Sequence, residues 1–259
     1  MSKIFYLFSN ELRKSKYDYL FVIIAQLILW TGSSIVSIIK YSNQFSSLNS
    51  VSNIIDIINF ETMGFSVFIV SFLYTIFIWI REFNLKKKSI YTIMMIPEKR
   101  SNIYFVKVLN ALTMYYTNII LFTLFMVCLI FIISISLGTG LNVNPFEEII
   151  YAFVFKNTIL AVSPLTVFVP LTFMDLIITD IFVAISNIAL ISLAYLMNIF
   201  FMKKNRLLRL GTIIITIIFF LMILFVTIFI PNKYALLISL ISIIIASLGS
   251  IYILKNIEM

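Results

Sequence analysis

The sequence predicts an all-α, polytopic membrane protein with about six transmembrane helices. Of its 259 residues, 62% are hydrophobic and 12% are charged, and the mean hydropathy is +1.10. A soluble domain is about half apolar and about a quarter charged. Several runs of about 20 apolar residues follow one another, and a helix needs this length to cross a bilayer. The pattern predicts one transmembrane domain over residues 1–259.

Composition also excludes several kinds of chemistry. The chain has no histidine, and its one cysteine, Cys128, lies in an apolar run. Intrachain disulfides, CxxC redox sites, histidine metal sites and a histidine general base are therefore excluded. The sequence has no G-x-x-x-x-G-K-[ST] phosphate-binding loop. We expect neither enzyme activity nor a cofactor in this chain, and no nucleic-acid partner for its net charge of +8.

The first elements are a short helix, a span and a polar loop. Residues 1–17 place apolar side chains at helical spacing among basic ones, which predicts a helix lying in the membrane interface. Residues 18–39 form the first predicted span, and residues 40–61, rich in serine and asparagine, form an external loop. The second span is predicted over residues 62–80.

A basic, amphipathic insert at residues 81–107 separates the second span from the third, which is predicted over 108–137. Ile90, Ile93 and Met94 share one helical face, and Pro97 ends that helix and suits the first turn of the next. A short helix of this kind fits a groove on a partner protein or lies on lipid headgroups. The insert is predicted to be cytosolic.

The second half of the chain contains one ambiguous segment. Residues 138–175 are predicted to form an outer region, in which prolines interrupt the apolar residues 149–173. Clean apolar runs follow at 176–202, 210–230 and 234–254. Segment 149–173 either enters the bilayer part-way, which gives six spans, or crosses it, which gives seven.

Basic residues favour six spans. With both termini cytosolic, six spans place sixteen of the nineteen lysines and arginines inside, whereas seven spans place twelve there. Cytoplasmic loops are enriched in these residues, so we predict six spans with 149–173 re-entrant.

The order of residues around the insert resembles the type-2 ABC exporter permease family of bacteria, including peptide and antibiotic exporters and immunity transporters. An acidic residue after the second span precedes a polar run, an apolar stretch, a proline, basic residues and a lysine that opens the third span. These are Glu82, Ile90–Ile96, Pro97, Lys99, Arg100 and Lys107. Two features depart from the family: the broken region 138–175 and the strongly basic residues 203–209.

The resemblance implies a permease in the bacterial cytoplasmic membrane that exports a hydrophobic or amphipathic substrate, with a peptide favoured. Two cytosolic ATPase subunits would hold ATP and Mg²⁺, and a second permease, identical or related, would complete the passage. The insert would be the helix that couples ATP hydrolysis to transport. The predicted coupling residues are Glu82, Ile90, Tyr91, Ile93, Met94, Pro97, Lys99 and Arg100.

Two further groups of polar residues are candidates for function. Glu147, Glu148, Asp175 and Asp180 form a predicted outer acidic cluster that attracts cationic peptides or only reflects the inward bias of basic residues. A predicted substrate path comprises Asn110, Thr113, Thr117, Asn187, Tyr195 and Asn198. Polar residues in spans more often bond one helix to another, so the structural interpretation stays open beside it.

Three rival functions remain. An ATPase-independent immunity or scaffold protein would bind a peptide at the membrane, with the insert bound to lipid. An ion-coupled transporter is disfavoured because the sequence shows no convincing inverted repeat and no charge inside the firmly predicted spans. An intramembrane hydrolase lacks the histidines and the G-x-S-x-G site that it needs.

Overall fold

The chain forms a bundle of long α-helices. The computed structural model describes residues 3–40, 60–83, 100–136, 173–202 and 232–256. These residues form α1 (Lys3–Lys40), α2 (Phe60–Phe83), α3 (Arg100–Ser136), α4 (Phe173–Met202) and α5 (Asn232–Asn256). The prediction of an all-α fold is confirmed. The predicted fifth span at 210–230, the re-entrant segment 149–173 and the centre of the insert lie outside the described residues.

Helix α1 differs from the sequence-based expectation of two separate elements. Residues 1–17 were expected to form an interfacial helix ahead of the first span, but α1 runs without a break over 38 residues. No glycine or proline occurs between Lys3 and Thr31 to stop its propagation. At 1.5 Å per residue the helix is about 57 Å long, nearly twice the thickness of a bilayer's hydrocarbon core. The interfacial position of its first turns stays a prediction.

Helix α3 lies at the centre of the bundle and packs against each of the other four helices. Along α1, the Trp30 ring meets the edge of Phe122 at a centroid distance of 5.2 Å. The same Trp30 donates its indole N–H to Ser66 Oγ of α2 at 2.9 Å. Aromatic rings and small hydroxyls thus join α1, α2 and α3 into one unit.

Helices α4 and α5 are parallel, and they share the most extensive contact in the bundle. Ser186 is hydrogen-bonded to Ser242, and Leu193 lies against Gly249, so both pairs have the same separation along the chain. A Cβ atom at Gly249 would lie only 2.9 Å from Leu193 Cδ1. The absence of a side chain at Gly249 therefore allows the two backbones to approach closely.

One end of the bundle holds its largest buried cluster. Trp79 and Tyr104 belong to this cluster, together with Leu196 from α4 and Leu254 from α5. The indole N–H of Trp79 donates to Ser192 Oγ of α4 at 2.9 Å. The last turns of α2, α4 and α5 therefore lie at the same end as the first turns of α3.

The outer surface is that of a membrane protein. Four helical stretches among the described residues are long and apolar enough to cross a bilayer: Ile4–Lys40, Ser101–Ile133, Ile181–Phe200 and Leu236–Asn256. Helix α2 adds a shorter apolar stretch at Ile69–Arg81. Large apolar side chains such as Leu20, Phe131 and Leu248 are exposed on the outside of the bundle. The chain is thus embedded in a membrane, as predicted, and these helices are consistent with several crossings.

Candidate functional site

Three helices meet at one shared carboxylate. Glu11 Oε1 of α1 accepts a hydrogen bond from Arg81 Nη2 of α2 and another from Lys107 Nζ of α3, each at 2.6 Å. The Lys107 side chain is only 2% exposed and that of Glu11 is 6% exposed. A buried lysine needs an anionic partner because desolvation of an isolated charge is costly. Glu11 provides that partner for both cations.

A second carboxylate balances the charge. Arg81 Nη1 donates to Asp18 Oδ2 at 2.6 Å, and Arg81 Nη2 also lies 3.1 Å from Ser15 Oγ. Asp18 is partly exposed, unlike Glu11. Two carboxylates thus face two cations at this end of the bundle. Networks of this kind fix the relative position of the helices that carry them.

Neutral groups extend the network along α1 and α3. Asn110 Nδ2 donates to Ser15 Oγ at 3.1 Å. The Tyr19 hydroxyl lies 2.7 Å from Asn110 Oδ1 and the same distance from the Asn110 carbonyl oxygen. The Tyr19 ring meets the edge of Tyr74 on α2. We refer to Glu11, Ser15, Asp18, Tyr19, Arg81, Lys107 and Asn110 as the Glu11 cluster.

Local sequence explains why these residues converge. Glu11, Ser15 and Asp18 are spaced four and three residues apart, which places them on one face of α1. Lys107 and Asn110 share a face of α3 in the same way. Arg81 lies in the last turn of α2. The sequence analysis gave Glu11 and Asp18 no role; their spacing was a signal for a polar face directed at other helices.

The predicted coupling residues are only partly described. Arg100 is the first residue of α3, and Glu82 lies in the last turn of α2, although its side chain is outside the described residues. Ile90, Tyr91, Ile93, Met94, Pro97 and Lys99 also lie outside them. Their role stays a prediction. The two ends of the insert, Arg81 and Lys107, are held together by Glu11.

The predicted substrate-path residues do not form one group. Asn110 and Thr113 lie around the Tyr19 hydroxyl, and Thr117 donates to the Thr113 carbonyl oxygen of its own helix at 2.7 Å. On α4, Asn187 lines a small cleft towards α2 and α3. Tyr195 packs against the cluster that contains Trp79, and Asn198 is partly buried on α4.

The predicted outer acids fall at the other end of the bundle or outside the described residues. Asp175 and Asp180 lie in the first turns of α4, far from its Trp79 contact, and nothing is described of their side chains. Glu147 and Glu148 are outside the described residues.

Comparison with protein-family models, curated proteins and solved structures finds no match to this chain.

Proposed function

We propose that this chain is the membrane subunit of an ATP-driven exporter, with ATP bound and hydrolysed by a separate cytosolic protein. The observation that carries the proposal is the sharing of Glu11 by the two ends of the insert. Because Arg81 and Lys107 are both bound to α1, a displacement of the insert acts on α1, α2 and α3 together. A helical bundle driven from one cytosolic segment needs such a rigid connection.

The sequence of the insert supports the same function. Its basic residues, its apolar run at 90–96 and Pro97 are the features on which the resemblance to type-2 ABC exporter permeases rests. The chain would act with two ATPase subunits and with a second permease, identical or related. Its substrate would be a hydrophobic or amphipathic peptide, as in antibiotic export or immunity.

The decisive experiment is purification of the tagged chain from its native membrane in mild detergent, followed by identification and assay of any bound ATPase. We expect a P-loop ATPase to copurify. Ile93→Asp combined with Met94→Asp is expected to abolish this copurification, since both changes place charge on the apolar face of the insert. Thr92→Asp is the matched control, because it adds the same charge to another face of the same helix.

Retention of the ATPase by the double variant would contradict a docking role for this face. A chain that copurifies with no ATPase would contradict the exporter proposal and favour an ATPase-independent immunity protein.

We propose six crossings, with both termini and the insert in the cytosol of a bacterium. Parallel packing of α4 and α5 supports this topology, because the end of α4 and the start of α5 then lie at opposite ends of the bundle. A crossing within 203–231 would join them. The end of α4 also lies near the end of α2, which places residues 203–209 on the same side as the insert.

Cysteine labelling tests the topology. In a Cys128→Ser background, Ser89→Cys and Asn205→Cys are expected to react with an impermeant maleimide only in inverted vesicles, because both lie on the cytosolic side. Asn144→Cys is expected to react in intact cells. Labelling of Asn205→Cys in intact cells would instead require seven crossings.

A further inference from the structure

Helices α2, α3 and α4 enclose a cleft that the Glu11 cluster does not use. It has a volume of about 20 Å³ and is lined by Ser71 from α2, Tyr115 from α3, and Ala184, Asn187 and Ile191 from α4, among others. A volume of this size admits one water molecule or one polar group of a larger ligand. A whole substrate does not fit into it.

The cleft contains an acceptor without a donor. Asn187 is only 4% exposed, and within the described part of the chain its side-chain oxygen has no hydrogen-bond partner. Nearby on α3, Asn118 donates to Ser71 Oγ at 3.4 Å, and its own side-chain oxygen is likewise unpaired. Buried amides are normally satisfied, so an unpaired acceptor facing a cleft marks a place for a donor.

The lining defines the chemical class of that donor. No charged residue is among the residues that line the cleft. A cationic group would be desolvated there without a counter-ion, at a high cost in free energy. An uncharged N–H group attached to an apolar molecule fits the unpaired oxygen and the apolar walls.

We propose that this cleft binds a backbone N–H group of an uncharged, hydrophobic peptide, with Asn187 Oδ1 as the acceptor. The inference rests on the proposed function, because it assigns a substrate class to the exporter. The remainder of such a peptide would lie along the apolar surface outside the cleft.

Trp79 provides a spectroscopic readout of binding. Its indole N–H bonds to Ser192, the residue after Ile191 in the cleft wall. The chain has two tryptophans, so a Trp30→Phe background leaves Trp79 as the single emitter. The protein is reconstituted in lipid nanodiscs and titrated with N-acetyl-trileucine amide. We expect a saturable change in Trp79 fluorescence.

In that background, Asn187→Leu is expected to raise the half-saturation concentration about tenfold, which corresponds to about 1.4 kcal/mol of binding free energy. The same variant is expected to unfold at a higher temperature, since leucine has a similar volume and removes the unpaired oxygen. This opposition between binding and stability distinguishes a ligand site from a structural contact. An analogue with an ester oxygen in place of the peptide N–H should bind the unsubstituted background about tenfold more weakly.

Gln26→Leu is the matched control. Gln26 is 1% exposed, and both polar atoms of its side chain are unpaired, but it does not line the cleft. This variant should also gain stability while peptide binding stays unchanged. Equal affinity of Asn187→Leu and its background, or no saturable binding, would overturn the proposal and assign the cleft to water alone. The titration requires no ATPase, so its failure is distinct from a failure of the copurification experiment.

Discussion

Replacement of Glu11 by glutamine is expected to lower the free energy of unfolding by about 3–5 kcal/mol. The change removes the anion that Lys107 and Arg81 share, and Lys107 is almost completely buried. Arg81 retains Asp18, whereas the Lys107–Glu11 ion pair loses its anion and leaves a charged ammonium group buried. Thermal unfolding in detergent measures the effect, for which we expect a fall in midpoint on the order of 10 °C.

Asp18→Asn is the matched control for Glu11→Gln. It also removes one carboxylate from Arg81, but the Asp18 side chain is 30% exposed and water compensates the loss. We expect an effect of about 1 kcal/mol or less. Combined replacement of Glu11 and Lys107 by leucine should recover much of the lost stability, because no unpaired charge remains at that pair. An equal loss in Glu11→Gln and Asp18→Asn would contradict the central role of Glu11.

Replacement of Trp79 by alanine is the second large effect, with an expected loss of about 3–5 kcal/mol in the free energy of unfolding. Trp79 is among the largest fully buried side chains and lies where α2, α3 and α4 meet. Its removal leaves a cavity that the surrounding long helices cannot readily collapse to fill. Thermal unfolding in the same detergent provides the measurement.

Trp79→Phe separates packing from hydrogen bonding. Phenylalanine keeps most of the buried ring and loses only the bond to Ser192, at an expected cost of about 1 kcal/mol. Ser192 still donates its hydroxyl to the Ile188 carbonyl oxygen, so no donor is left unpaired there. A loss in Trp79→Phe as large as that in Trp79→Ala would show that the polar link, rather than packing, dominates at this site.

The helices were predictable from the sequence because the bilayer permits few alternatives. Inside hydrocarbon every backbone polar group needs an internal partner, so an apolar run of about 20 residues indicates a helix. The second span was predicted at 62–80, within the observed α2, Phe60–Phe83. The fourth was predicted at 176–202, within α4, Phe173–Met202.

The Glu11 cluster was harder to predict because its contacts are distant in sequence. Glu11 is separated by 70 residues from Arg81 and by 96 from Lys107. The sequence analysis counted all three as cytosolic charges, without pairing them. Composition indicates on which side a charge lies, but only helix packing decides which charges touch. The same limit applies to Asn187, whose unpaired oxygen depends on the positions of three helices.

The parallel arrangement of α4 and α5 has a consequence for biogenesis. Two antiparallel helices can pair as a hairpin as soon as both have left the ribosome, whereas a parallel pair must wait until the intervening chain has returned to the starting side. The contact of Leu193 with Gly249 therefore belongs to a late step of assembly. Until then, Ser186 lacks Ser242 as a partner. A nascent chain that stops before residue 232 would hold an unprotected α4 and become a substrate for membrane quality control.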